Sequence, residues 1–409
     1  MRRYQARAAS LFAAVAVLVA GCSAVVDGSA VKAAGGPAPG TVDVALLNPG
    51  NYPTKPLPPM GAAGTPAAGA LLEGRRMAEF VVGPWEVDPA LVAGYHFLGT
   101  SGAFPLKSEG LESVVFPPVA QAVYRHNFIS GYVDAREVDG KKVLFNFVLR
   151  MADPESATAA ARDMAQATLD NPEEGISPSA MSSIAVPGHP EANAISHSFD
   201  HYGGNLRWNV VVSYTAHGPY VLMQKAQSTE NADIAVGLVA KAIDLQAPRI
   251  DEFTPTDPAQ LPNLPRDPTG LLAKALPVPE GSGRLNNRAT FVGYGLLHYQ
   301  VDPVATAKVF ADAGVDVGVS GDAWVIQARD AAGAAAVADD AVRGFTATGA
   351  ASVDPVPNLP GSHCLKLSGD DGGFWCGATA DRYEFEVSGL QLNDVYQRAA
   401  AQYIMLTAK

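Results

Sequence analysis

Three cysteines in 409 residues are too few for a disulfide-built scaffold or a cysteine-rich metal cluster. Charge is scarce too. At 17% charged and 48% hydrophobic residues, the chain can fill cores and is not one held open by its own charge. Basic residues are the minority, 29 against 41 acidic, for a formal charge of −12. Such a field repels nucleic acid and anionic headgroups, and no local basic patch offsets it, so no nucleic-acid partner is expected. The sequence contains no G-x-x-x-x-G-K-[ST], no H-E-x-x-H, no G-x-S-x-G and no S-x-x-K placed before a helix. Each of these needs its fixed spacing to bring reacting groups together. No catalytic, cofactor-binding or metal-binding residue is therefore assigned.

Residues 1–22 read MRRYQARAASLFAAVAVLVAGC: a basic start, an apolar run, then a small residue and a cysteine. The run is shorter than the roughly 20 residues a spanning helix needs, so it reads as an export signal. Leu18-Val19-Ala20-Gly21-Cys22 looks like a bacterial lipobox, which predicts removal of residues 1–21 and lipidation of Cys22. Attachment through several acyl chains holds a protein on a membrane surface. That leaves Cys364 and Cys376 in an oxidising compartment, equidistant from Asp370 in a Gly-Asp-Asp-Gly-Gly turn. A disulfide across that hairpin is expected. The spacing is wider than a C-x-x-C redox pair, and no second pair of soft ligands completes a metal site.

Gly and Pro are plentiful, at 40 and 31 residues, and they punctuate the chain. Residues 22–70 read as a lipidated N-terminus and Pro/Gly-rich tether in which Tyr52 can dock on the folded body. Residues 71–250 form a first domain. Here a helix over 71–82 is expected to be interrupted near Gly74, and Asp153-Pro154 opens an alanine-rich helix. Strands are expected over 194–202, 207–216 and 220–228. Residues 251–288 read as a Pro/Gly-rich connection, and 289–409 as a second domain carrying the disulfide hairpin. LFNFVLRMADPESATAAARDM (144–164) and AWVIQARDAAGAAAVADDAV (323–342) both read strand, aspartate, alanine helix. The expected fold is therefore α+β: two related units, each a mainly antiparallel sheet covered on one face by helices, joined only through the Pro-rich connection.

Chemistry-bearing residues are dispersed. His197, Asp200 and His201, with His189 and His217 nearby, are the nearest approach to a cluster. On a strand His197 and His201 would stand about 13 Å apart, too far for one ion. Asp312, Asp316, Asp322, Asp370 and Asp371 sit at turns without calcium-loop spacing. Phe145 and Phe147 lie in a strand apolar on both faces, so a second cover is required: residues 71–98, another domain, or an apolar ligand.

With the lipobox, Asn51-Tyr52-Pro53-Thr54, Arg75-Arg76-Met77-Ala78 and Glu86-Val87-Asp88-Pro89 in view, the layout resembles a family of uncharacterised secreted lipoproteins of mycobacteria and related actinobacteria. The resemblance implies a place on the outer face of the plasma membrane and a role accessory to transport or envelope assembly. The expected function is that of a non-enzymatic, lipid-anchored envelope protein binding a protein partner or an envelope lipid. The alternative is an envelope hydrolase using the carboxylates and histidines from His189 to His217.

Overall fold

The structure, a computed structural model, describes residues 42–95, 102–107, 111–172, 181–200, 206–279, 288–369 and 372–408. The expected signal, the lipidation site Cys22, His201 and the Asp370-Asp371 turn lie outside those residues.

The first domain opens with α1 (Pro66–Met77) and the short α2 (Pro84–Val87). Strands β1 (Ala93–Gly94) and β2 (Ala103–Leu106) and helix α3 (Pro117–Tyr124) follow. The hairpin β3 (Phe128–Val138) and β4 (Lys142–Met151) leads into α4 (Pro154–Asp170). A meander of β5 (Ser182–Val186), β6 (His189–Asp200), β7 (Arg207–His217) and β8 (Tyr220–Ser228) ends in α5 (Ala232–Asp251). The second domain comprises β9 (Ala289–Val292), α6 (Pro303–Ala313), β10 (Val317–Ser320), β11 (Trp324–Gln327), α7 (Ala331–Ala347), β12 (Ala351–Val353), β13 (His363–Lys366), β14 (Phe374–Ala380), β15 (Tyr383–Gly389) and α8 (Leu392–Thr407).

Both sheets are antiparallel and share one plan. In the first, the order β3-β4-β8-β7-β6-β5 places the last strand of the meander beside the second strand of the hairpin. In the second, β10-β11-β15-β14-β13-β12 does the same. Each hairpin is preceded by a strand and a helix, since β2 pairs with β3 and β9 with β10. The alanine-rich helices start alike: Asp153 accepts from the Ser156 amide and Asp330 from the Gly333 amide, each satisfying an orphan N–H of the first turn.

Helices cover both faces of each sheet, not the single face expected. Phe145, Phe147 and Leu149 pack under α3 and α4. On the other face, Leu144 packs with α5 and with Val82, Val87 and Leu91, while Val148 meets Met77, Ala78 and Val81. The second cover of β4 is thus α5 together with the segment after α1. In the second domain α8 closes one face through Val395, Ala399 and Met405, and α6 and α7 close the other through Phe310, Ala334 and Val337.

Several local expectations change. Helix α1 runs through Gly74 without a break, because a Cβ there would stand 2.5 Å from the Gly131 carbonyl oxygen. The glycine permits close approach of helix to strand. Residues 42–65, expected to belong to the tether, lie on the body: Leu47 is buried in the second core, the Leu57 amide donates to Ala273 at 2.8 Å, and Tyr52 Oη donates to Asp394 at 2.5 Å. Burial of these apolar side chains outweighs the ordering cost of a Pro-rich segment already limited in conformation. Strands β5, β9, β10 and β12 lie where only connections were expected. All are short, and tertiary pairing rather than local pattern selects them.

Candidate functional site

The two domains meet over a buried polar junction, so the Pro-rich connection is not their sole link. Arg136 on β3 is sealed from solvent. Its Nε donates to Asp134 at 3.0 Å, and its guanidinium also donates to the carbonyls of Val92, Gln300 and His298. His298 lies 2.6 Å from Asp134 through Nδ1 and 2.9 Å from the Ala78 carbonyl through Nε2. Trp85, Tyr132 and Tyr294 enclose its ring, with centroids 5.2–5.3 Å away. Each strong donor has an acceptor and no face of His298 is open, as a structural network requires.

The sequence candidates are not brought together. His189 pairs with Asp244 at 3.0 Å, His217 with Asp251 at 2.7 Å and Asp200 with Arg207 at 3.3 Å. His189 and Asp200 mark opposite ends of β6, and His197 is buried in the wall of a small void beneath α4. Asp312 holds Lys308, and Asp322 holds Arg398 at 3.5 Å. Among the described residues no group of three or more His, Cys, Asp or Glu could hold a metal ion, and no helix is long and apolar enough to cross a membrane. Cys364 and Cys376 face each other across β13 and β14 and form the expected disulfide.

A cleft about 530 Å³ in volume, formed mostly by the second domain, carries the unexpected chemistry. Its walls come from the segment before α6, the C-terminal half of α7 and the face of β11 and β15, and the first domain closes it with Val92 and β1. Trp324, Val301, Phe345 and Ile326 supply apolar surface, and Glu386 reaches the cleft from the sheet. Glu386 Oε2 accepts from Trp375 Nε1 at 2.9 Å. Gly377 lies opposite Glu386 on β14, and a Cβ at Gly377 would stand 2.4 Å from the Trp375 ring. A bare backbone there lets the indole lie across the strand and reach the carboxylate.

Two residues earlier on the same strand face, Glu384 is sealed from solvent, and neither of its carboxylate oxygens has a hydrogen-bond partner. Burial pushes the Glu384 carboxyl well above the usual carboxylate range, and neighbouring Glu386 adds to the effect. Burial raises the Glu386 carboxyl too, against the lowering effect of the Trp375 hydrogen bond. On the α7 wall, Asp340 accepts from Thr306 at 2.6 Å and from Arg343 at 2.7 Å. The alternation Tyr383-Glu384-Phe385-Glu386-Val387 is ordinary for a strand with one wet face. The signal available from sequence was that alternation beside an alanine-rich helix slim enough to lie on it.

The register of the two copies identifies what stands at these positions in the first domain. Both meanders end in two-residue turns, His217 pairing with Tyr220 and Ala380 with Tyr383. Glu384 thus corresponds to Val221 and Glu386 to Met223, both apolar core residues beneath α4. The void at that place in the first domain is about 70 Å³.

Together these features define a duplicated α+β protein of two antiparallel-sheet domains with an acidic cleft in its second half. The chain belongs to the DUF7373 family: residues 60–266 match its N-terminal domain of unknown function and residues 271–409 its C-terminal one. No curated protein matches it. Among solved structures it is similar to the extracellular domain of PknH from Mycobacterium tuberculosis, at 13% identity over 42% of this chain and 94% of that one, with a TM-score of 0.28. A likeness so slight carries no argument about this chain.

Proposed function

We propose that the protein is a lipid-anchored binding protein of the outer face of the plasma membrane, and that an envelope amphiphile occupies the cleft between β1 of the first domain and the α7 side of the second. The observation that carries this reading is the cleft itself: about 530 Å³, large enough for part of a lipid-sized molecule, and lined mainly by apolar residues with polar groups among them. The lipobox around Cys22 supports the location. The hydrolase alternative has less support: His189, His197, His217 and Asp200 are not brought together, and of the carboxyls lining the cleft Asp302 caps α6 and Asp340 holds Thr306 and Arg343, which leaves Glu386.

Native mass spectrometry of the protein extracted from its own membrane tests the reading. A co-purifying small amphiphile, lost when Ala305→Trp narrows the cleft, is the expected result. A bare monomer throughout would refute it. Cys22→Ala should move the folded protein from the membrane to the soluble fraction. An unchanged distribution would show that something other than the lipid holds it.

A further inference from the structure

We infer that the amphiphile seated in this cleft carries a protonated amine as its headgroup, held by Glu386 with Trp324 beside it. The inference deepens the binding reading above and rests on it.

The charge inventory of the cleft excludes the opposite sign. Glu386, Asp302 and Asp340 line it, against Arg343 as the cation. Arg343 is committed to Asp340 at 2.7 Å, and the other Asp340 oxygen accepts from Thr306 at 2.6 Å. Asp302 caps α6 by accepting from the Val304 and Ala305 amides at 3.1 and 3.0 Å. Glu386 has only one oxygen engaged, by Trp375, and its other oxygen is available to a donor from the cleft. An anionic headgroup would meet three carboxyls against the single cation Arg343, whose charge Asp340 already offsets. A hydrocarbon end would leave it desolvated and unpaired, which costs more than a matched hydrogen bond returns.

An ammonium group satisfies both demands, with positive charge and three donors. Trp324 is the residue paired with Glu386 across the β11–β15 ladder and lines the cleft together with Tyr299 and Phe345. Aromatic faces beside a carboxylate stabilise an ammonium ion further through their ring quadrupoles. The second, independent observation is Glu384, wholly buried with both oxygens unpartnered and about 7 Å along the strand from Glu386 on the same face. Ile326, which pairs with Glu384 across the ladder, lines the cleft, so the unpartnered carboxyl lies directly beside the site. Its negative potential, when ionised, adds to the attraction for a cation and for no other headgroup. In the first domain the same two positions are Val221 and Met223, so the shared sheet plan does not itself require acids there.

Seating a cation against these carboxyls favours their ionised forms, so binding should release protons and tighten as pH rises from 5 to 8, where an alkylamine stays charged. The charged and titratable groups lining the cleft are Glu386 from β15, Asp302 capping α6, Asp340 and Arg343 from α7, and Tyr299 from the turn before α6, while Glu384 lies buried on β15 beside Ile326.

The experiment is calorimetric titration of the intact mature protein with dodecylamine, dodecyl maltoside and dodecyl sulfate, each below its micellar concentration, in two buffers of different ionisation heat. The expected order is amine at least tenfold tighter than maltoside, with sulfate weakest and proton release for the amine alone. Glu386→Gln, checked for an unshifted melting profile, should remove the tenfold preference of the amine over maltoside and the proton release that accompanies amine binding. Ala305→Trp should weaken all three ligands. Equal affinity for the three headgroups, or a preference for sulfate, would overturn the amine assignment while leaving the binding reading intact. Absence of binding by all three would sink both. Amine binding that survives both substitutions would place the amine elsewhere on an acidic protein and refute the assignment.

Discussion

The same place in the two copies of one sheet plan has been put to opposite uses. Beneath α4, Val221 and Met223 join Phe147 and Leu149 in a filled core, and a void of only about 70 Å³ remains. Beneath α7, the corresponding Glu384 and Glu386 face Ile326 and Trp324, and beside them the helix and sheet part into about 530 Å³. The difference teaches that the fold tolerates a cavity once its other face is closed. In the second domain that closure comes from α8 and from a disulfide inside the same apolar cluster, Cys364 to Cys376. Stability is held on one face, while the other carries the cleft and the unpartnered Glu384 carboxyl.

The sharpest way to break this comparison is to separate the copies. Arg136→Met leaves Asp134 buried without its guanidinium partner and strips donors from three carbonyls. Removing one partner of a buried ion pair costs about 3–5 kcal/mol. Calorimetry should show the single coupled transition of the parent protein split or lowered by many degrees. A parent protein that already melts in two independent steps would contradict a junction of this strength.

Next in size is the disulfide. Replacing Cys364 and Cys376 by serine should cost about 3 kcal/mol by the loop-closure argument. Because the junction couples the halves, the loss should lower the common transition. Intact mass with alkylation, before and after reduction, verifies the bond, and two alkylated thiols in the unreduced protein would count against it.

Smallest, and opposite in sign, is restoring the first domain's chemistry to the second. Glu384→Val removes a buried carboxyl with unpartnered oxygens and should stabilise the protein by about 1–3 kcal/mol at neutral pH. The pH dependence has a definite sign. The Glu384 carboxyl titrates higher folded than unfolded, so the neutral form's contribution is complete below about pH 4 and is lost as pH rises through the folded value. The gain from Glu384→Val should therefore be larger at pH 8 than at pH 4, and chemical denaturation at both pH values measures it. An equal gain at both would show that the Glu384 carboxyl titrates alike in the folded and unfolded chain, and would refute its upward shift.

Much of the fold was legible along the chain. Asp153-Pro154 and Asp330 announce helices by local capping chemistry, the alanine runs behind them have high intrinsic propensity, and the echo between 144–164 and 323–342 announces the duplication. Cys364 and Cys376 announce the β13–β14 hairpin by their symmetry about Asp370 in the sequence. The cleft was not legible. Glu384 and Glu386 alternate with Phe385 and Val387, a pattern that suits a wet strand face, and nothing local says that α7 will lie over it. Nor does the spacing of Asp134, Arg136 and His298, with Arg136 and His298 162 residues apart, suggest a junction.

By itself, then, the sequence determined the alanine-rich helices, the long strands, their duplication and the disulfide, because capping, propensity and turn symmetry act between residues a few positions apart. Only the tertiary structure decided which strand face was dry, which acids lost their water and where the copies meet. Burial depends on which distant segments pack together. A carboxylate on an alternating strand is solvated or stranded according to a helix tens of residues away.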